Sequence, residues 1–171
     1  VTVVVADAMR NAPEMTHGPE TVDPAKLMQT EPFSDPGPGI HKRADGGYDA
    51  IVVAYTFGFL PQGDLVVPAN KPIYFQVSSL DVVHGFQIPG VSNVNLEVLP
   101  GHVTQVRQTF SKPGRYLILC HEYCGSKHQF MVSHIRVLEP GDTPEAYAER
   151  LAEKSGSTMD HAMTTQEGSA A

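Results

Sequence analysis

From Gly46 onward the chain reads as short apolar-rich runs broken by Gly, Pro and Asn, a texture that predicts an all-β domain. The runs fall at 48–59, 64–67, 72–78, 82–88, 93–98, 102–110, 115–120 and 130–138. Turns are expected at Gln62-Gly63, Ala69-Asn70-Lys71-Pro72, Pro89-Gly90, Pro100-Gly101 and Lys112-Pro113-Gly114. So many short segments in succession suit a Greek-key β-sandwich. Within 115–120 the alternation places Tyr116, Ile118 and Cys120 on one face, so the strand delivers Cys120 at its end. The following loop returns through His128 to the last run, where alternation sets His134 on the face opposite Met131.

The flanks have a different texture. Residues 1–45 form an N-terminal arm carrying Pro13, Pro19, Pro24, Pro32, Pro36 and Pro38, and no apolar period persists along it. One short helix is expected at 23–28, where Asp23 caps and Pro24 occupies the first turn. His17 and His41 lie in this arm without partners at ligand spacing and read as solvent-exposed bystanders. The opening Val1-Thr2-Val3-Val4-Val5-Ala6 fits either a first β-strand or the end of a membrane anchor. The domain proper is expected to span 46–139. In 140–171, Thr143-Pro144-Glu145 starts a helix that continues over 146–154, and the small, polar tail 157–171 is expected to be disordered.

Composition narrows the picture little until charge is located. The 171 residues, 41% hydrophobic, suffice for one ordinary core. A formal net charge of −7 argues against nucleic-acid binding, which needs clustered Lys and Arg. Residues 139–171 hold seven Asp/Glu against two Lys/Arg, so most of the acidity belongs to the tail. No apolar run approaches the ~20 residues of a membrane span, and no signal peptide is visible.

The chemistry concentrates in Cys120-His121-Glu122-Tyr123-Cys124-Gly125-Ser126-Lys127-His128-Gln129-Phe130-Met131, which holds both cysteines of the protein. A disulfide across three intervening residues would restrict little chain and leaves His128 and Met131 unexplained. Zinc would leave the methionine surplus. A single copper with two His, one Cys and an axial Met would leave a cysteine surplus. Thiolate, imidazole and thioether together suit copper, and two thiolates so close suggest two metals sharing sulfur.

The pattern C-x-E-x-C-G-x-x-H-x-x-M, with Asp81-Val82-Val83-His84-Gly85-Phe86 upstream, resembles the binuclear copper-A domain of cytochrome c oxidase subunit II. The resemblance covers about 46–139 and looks most like the ba3-type branch, through Tyr55-Thr56-Phe57-Gly58-Phe59, Val83-His84-Gly85-Phe86 and Asn95-Leu96-Glu97-Val98-Leu99-Pro100-Gly101. It implies a cupredoxin fold and two copper ions bridged by Cys120 and Cys124. His84 and Met131 would serve one ion, and His128 and the backbone carbonyl of Glu122 the other. Asp81 reads either as a partner of His84 or as a turn cap. His102, His121 and His134 are not expected to be ligands, although His121 is placed to tune the site by a hydrogen bond. Met159, His161 and Met163 in the tail offer weak copper ligands at most.

The resemblance further implies the subunit through which electrons enter a membrane haem-copper oxidase, on the periplasmic or outer face of the energy-transducing membrane. Its partners would be a cytochrome c-like donor and a haem-bearing catalytic subunit, with an N-terminal membrane helix preceding the domain. A copper-A subunit of a nitric oxide reductase and a metal-free structural cupredoxin subunit are the alternatives; the latter type lacks the cysteines kept here. Where many subunit II proteins carry a tryptophan-rich segment for electron uptake, this chain has no Trp, and Tyr55, Phe57 and Phe59 occupy the comparable region. Those aromatics read either as that path or as core.

Overall fold

Alternating burial makes the strands. In Pro72–Ser79 the inward positions are Ile73, Phe75 and Val77, with Tyr74 and Gln76 between them half-buried, and in Asn95–Val98 they are Leu96 and Val98, with Asn95 and Glu97 exposed. The computed structural model describes residues 21–164, with side chains described through Lys154. Val1–Ala6, His17 and the side chains of Met159, His161 and Met163 lie outside those described. Among the described residues, ten strands form two sheets: β1 (Gly39–Lys42), β2 (Tyr48–Tyr55), β3 (Gly58–Leu60), β4 (Asp64–Pro68), β5 (Pro72–Ser79), β6 (His84–Gln87), β7 (Asn95–Val98), β8 (Thr104–Thr109), β9 (Gly114–Leu119) and β10 (Val132–Leu138). One sheet has the order β1-β2-β5-β8, with β3 also pairing β2; the other has β4-β10-β9-β6-β7. The expected all-β sandwich is borne out.

The main core lies between the sheets, with Phe86 at its centre, edge-on to Phe59 at 5.7 Å and tilted against Phe75 at 5.7 Å. Its far end is not purely hydrocarbon: Cys120, Cys124 and Met131 belong to the same buried cluster. The expected run 48–59 divides into β2 and β3 at Thr56-Phe57, a turn that carries neither Gly nor Pro and so gave no signal.

The arm contributes more than a connection. Asp23 caps a short 3-10 helix, Pro24–Gln29, by accepting from the Ala25 N–H at 3.0 Å, as its sequence led us to expect. Leu27 and Phe33 are fully buried against Ile51, Val53 and Val103. β2 is therefore covered on both faces: Ala50, Val52 and Ala54 point into the sandwich while Ile51 and Val53 meet the arm. His41 is not a free bystander, because it stands in β1 with Nε2 2.8 Å from the Gly37 carbonyl.

After the last strand, Thr143 caps helix α1 (Pro144–Thr164) through its Oγ1, which accepts from the Ala146 N–H at 3.2 Å. The helix runs past Lys154 and through Gly156 to Thr164, further than expected, so residues 157–164, expected to be disordered, are helical; a single Gly inside a helix costs only about 1 kcal/mol. None of the helices among the described residues is long and apolar enough to cross a membrane.

On the outer face of the second sheet, Asp64 of β4 accepts a bidentate pair from Arg115 of β9, at 2.8 and 2.9 Å, and lies 3.6 Å from Arg136 of β10. The Arg115 hydrogen bonds hold the Asp64 carboxyl below its ordinary range against an opposing effect of burial. A depressed folded-state value stabilises above the unfolded value of about 4 and is lost as pH falls below it. Asp64→Asn is expected to lower the urea midpoint at pH 7 and to have a progressively smaller effect as the pH is taken below the ordinary carboxylate range; denaturation curves across that range check this.

Candidate metal centre

The site is assembled from two parts of the second sheet. β9 ends at Leu119 and β10 begins at Val132, and between them the 120–131 loop is pinched at its neck by the Cys120 N–H donating to the Met131 carbonyl at 3.1 Å. Inside the loop, His128 N–H donates to the Gly125 carbonyl at 3.0 Å and Met131 N–H to the His128 carbonyl at 3.0 Å. A twelve-residue excursion is thereby held by its own backbone. β6 lies beside β9 and starts with His84, whose side chain is completely buried.

These elements bring the six expected positions together. The Cys120 and Cys124 sulfurs are free, buried and 3.9 Å apart, well beyond the ~2.0 Å of a disulfide. His84 Nδ1 lies 3.9 Å from Cys120 Sγ, and the Glu122 carbonyl oxygen 3.1 Å from it. His128 Nδ1 lies 3.5 Å and Met131 Sδ 3.6 Å from Cys124 Sγ. The Glu122 side chain points outward, so that residue reaches the site by its backbone. Among the described residues, His84, Cys120 and Cys124 are the group whose ligating atoms converge within 4.8 Å.

Electrostatics sharpen the donor set. Burial, then the neighbouring Cys120 sulfur, pushes the Cys124 thiol up to about 11, so without a cation it keeps its proton at neutral pH. A soft metal that displaces that proton turns an unfavourable buried charge into a bond. A sulfur separation of 3.9 Å is what a common ion about 2.3 Å from each would span at an angle between tetrahedral and trigonal. The residues present therefore fit a soft metal such as copper.

Asp81 is the partner of His84, not merely a turn cap: its Oδ1 lies 2.7 Å from His84 Nε2. A carboxylate only accepts, so Nε2 carries the proton and Nδ1 presents its lone pair to the sulfurs. Burial alone would raise the Asp81 carboxyl, but hydrogen bonds from Thr56, His84 and Val82 overrule it and hold the group at about 2. It stays ionised at every physiological pH.

The remaining histidines stand apart. His102 is exposed beside a bridge to Thr21, and His134 accepts from Arg115 at 2.9 Å on the outer face. His121 borders the site without joining it: its ring covers Gly85, and Nε2 lies 3.9 Å from Glu122 Oε1. Two features escaped the sequence reading. The Gly85 N–H donates to Cys120 Sγ at 3.3 Å, and the apolar rim of the loop is Tyr123, 78% exposed, and Phe130, 71% exposed. The aromatic path considered in the sequence divides: Phe59 is core, whereas Tyr55 and Phe57 are half-buried.

Comparison with known proteins meets this geometry. The family model for the periplasmic domain of cytochrome c oxidase subunit II matches residues 59–138. A Thermus thermophilus cytochrome c oxidase subunit 2 is 42% identical over 120 residues, covering 70% of this chain and 87% of that protein. The chain belongs to the cytochrome c oxidase subunit II family. A chain from a heme-copper terminal oxidase dimer superposes with a TM-score of 0.59 at 29% identity, covering 80% of this chain and 88% of its own. The periplasmic domain of subunit II from Bradyrhizobium japonicum gives 0.52 at 25% identity, covering 63% and 94%. Membership bears out the expected haem-copper oxidase subunit II domain and its cupredoxin architecture.

Gly85 is the tightest point of the subunit II site. A Cβ built there would lie 2.2 Å from His121 Nδ1 and 2.5 Å from the His121 backbone nitrogen. Gly85→Ala is expected to cost the metal-free protein about 2–3 kcal/mol by forcing the loop away. Because backbone is among the clashing atoms, His121→Ala should not restore the loss; chemical denaturation of the single and double variants checks both statements.

Proposed function

We propose that this subunit II domain carries a binuclear copper-A centre and transfers single electrons from a cytochrome c-like donor to a haem in the catalytic subunit, on the periplasmic side of the membrane. The observation that carries the reading is the pair of buried, unbridged sulfurs 3.9 Å apart with His84, His128 and Met131 around them. Cys120 and Cys124 would bridge, His84 and His128 would each supply one nitrogen, and Met131 and the Glu122 carbonyl would be the weak axial donors. The centre, when bound, supplies a reversible one-electron store whose charge is spread over two metals and two sulfurs. The chain's part is to enclose that store, leave no position open to substrate and keep the ligands still between redox states, which minimises reorganisation.

The copper count and the inequality of the ligands are tested together. Metal analysis should give two coppers per chain, and electron paramagnetic resonance should show one electron shared by both ions. Cys120→Ser and Cys124→Ser should abolish that signal, whereas Met131→Leu should keep the copper and shift the potential. One copper per chain with a four-line localised spectrum, or loss of copper from Glu122→Gln as complete as from a cysteine variant, contradicts the assignment.

Docking of the donor would rest on apolar contact. Tyr123 and Phe130 are exposed on the loop, and Tyr123 lies 5.9 Å from the half-buried His128 ring, while the acidic surplus sits in residues 139–171. Electrostatic steering weakens steeply with salt and apolar contact does not. Stopped-flow reduction should therefore change only modestly with ionic strength or on deletion of 142–171, and slow at least tenfold in Tyr123→Ser/Phe130→Ser, as removal of two anchor residues predicts. Rates falling by orders of magnitude with salt would point instead to a charge-steered complex.

A further inference from the structure

We infer that the β2–β3 turn, Thr56-Phe57, is a positioning device for the metal centre, with Thr56 orienting His84 through Asp81 and Phe57 bracing the 120–131 loop through Gly125. The inference rests on the copper reading of that site and goes beyond it, because neither residue is one of the six ligand positions.

Thr56 is exposed, yet both of its hydrogen-bond donors converge on one carboxylate oxygen. Its backbone N–H donates to Asp81 Oδ2 at 2.7 Å, and its Oγ1 donates to the same oxygen. The other oxygen, Oδ1, accepts from the Val82 N–H at 2.7 Å and faces His84 Nε2 at 2.7 Å. The carboxylate is thus divided, one oxygen to the turn and one to the histidine. Without the Thr56 hydroxyl, Oδ2 retains only one donor from the turn and the carboxylate plane is less firmly set. The imidazole then faces a less firmly fixed acceptor, and its tautomer and ring angle are less tightly set.

Phe57 acts on the other half of the site. Gly125 sits between Cys124 and His128 with φ of +129°, and a Cβ there would lie 3.0 Å from Phe57 Cε1 and 3.2 Å from Cζ. The phenyl edge therefore abuts the loop backbone at the residue whose carbonyl accepts from the His128 N–H. Phe57 also packs on the cluster that contains Cys120, Cys124 and Met131. The turn itself has a firm base, since it grows from β2, which is covered on both faces, and the Tyr55 ring lies across Gly58.

The two halves of the site come from different strands, β6 for His84 and the β9–β10 loop for the rest. They are joined to a common two-residue reference. Displacing that reference moves His84 and the sulfurs relative to one another, a change in ligand geometry that simple loss of stability would not mimic.

The test uses the full chain, metal-free and copper-loaded, with Thr56→Val, Thr56→Ser, Phe57→Leu and Thr56→Val/Asp81→Asn. In the loaded protein, Thr56→Val should lose copper to a competing chelator roughly tenfold faster, with Thr56→Ser within about twofold of the unsubstituted chain. Phe57→Leu should alter the paramagnetic resonance hyperfine pattern while its melting temperature stays close to that of the unsubstituted protein. Thr56→Val should add nothing in the Asp81→Asn background. In the metal-free protein, the ¹⁵N shifts of His84 should show one tautomer, protonated at Nε2, in the unsubstituted chain and Thr56→Ser, and a mixture in Thr56→Val. An unchanged tautomer and copper-loss rate in Thr56→Val, or a full additional effect on top of Asp81→Asn, overturns the Thr56 role; an unchanged hyperfine pattern in Phe57→Leu overturns that of Phe57. If the unsubstituted chain fails to bind two coppers, the copper reading fails, and the metal-free shifts still decide the Thr56 arm.

Discussion

Two largely buried sulfurs held 3.9 Å apart set the terms for the rest of the molecule. The Cys124 sulfur does not gain from ionising alone there: burial disfavours the charge, and the neighbouring Cys120 sulfur disfavours it further. A soft cation shared with that neighbour removes the penalty. The backbone holds the sulfurs apart through the Cys120–Met131 neck and leans the Gly85 N–H on one of them at 3.3 Å. Such an N–H stabilises negative charge on sulfur in advance of any cation. The protein thus fixes the ligand geometry and leaves the charge to be supplied from outside.

That arrangement depends on sheet order more than on local propensity. β6 and β9 are neighbours, so His84 and Cys120 meet although 35 residues separate Gly85 from Cys120. β10 lies on the other side of β9, so both ends of the loop rise from adjacent strands paired from Val132↔Leu119 onward. The two sheets press Phe59, Phe75 and Phe86 together beneath this end. Close packing of that kind transmits strain and resists it, so the side chains above it are held in place.

The loop could be read in the sequence because its ligands crowd into twelve residues and their chemistry is legible one by one. His84 was different: in an apolar run a buried histidine looks like any other, and only its neighbours Asp81 and Gly85 in the family pattern singled it out. Leu27 and Phe33 were not legible, since isolated apolar residues among prolines have no period and their burial depends on what β2 presents on its outer face. β1 was missed for the same reason, as Gly39-Ile40-His41-Lys42 becomes a strand only by pairing with β2. The aromatic stretch 55–59 split between core and turn because strand alternation ceases at Thr56. Tertiary context decided each of these.

The loop also resolves a conflict between enclosure and access. Cys120, Cys124 and Met131 are nearly inaccessible, while Tyr123 and Phe130, one position removed from Cys124 and Met131, are among the most exposed large side chains described. The loop does both because successive side chains along it diverge, so Cys124 and Met131 each have an outward-facing neighbour. Between the two classes stands His128, half-buried, with its Nδ1 toward Cys124 and its ring beside Tyr123. The site is therefore largely buried but reaches the surface at one imidazole. In the proposed electron-transfer role, that imidazole would be the point at which the same packing that holds the ligands leaves them nearest a docked donor.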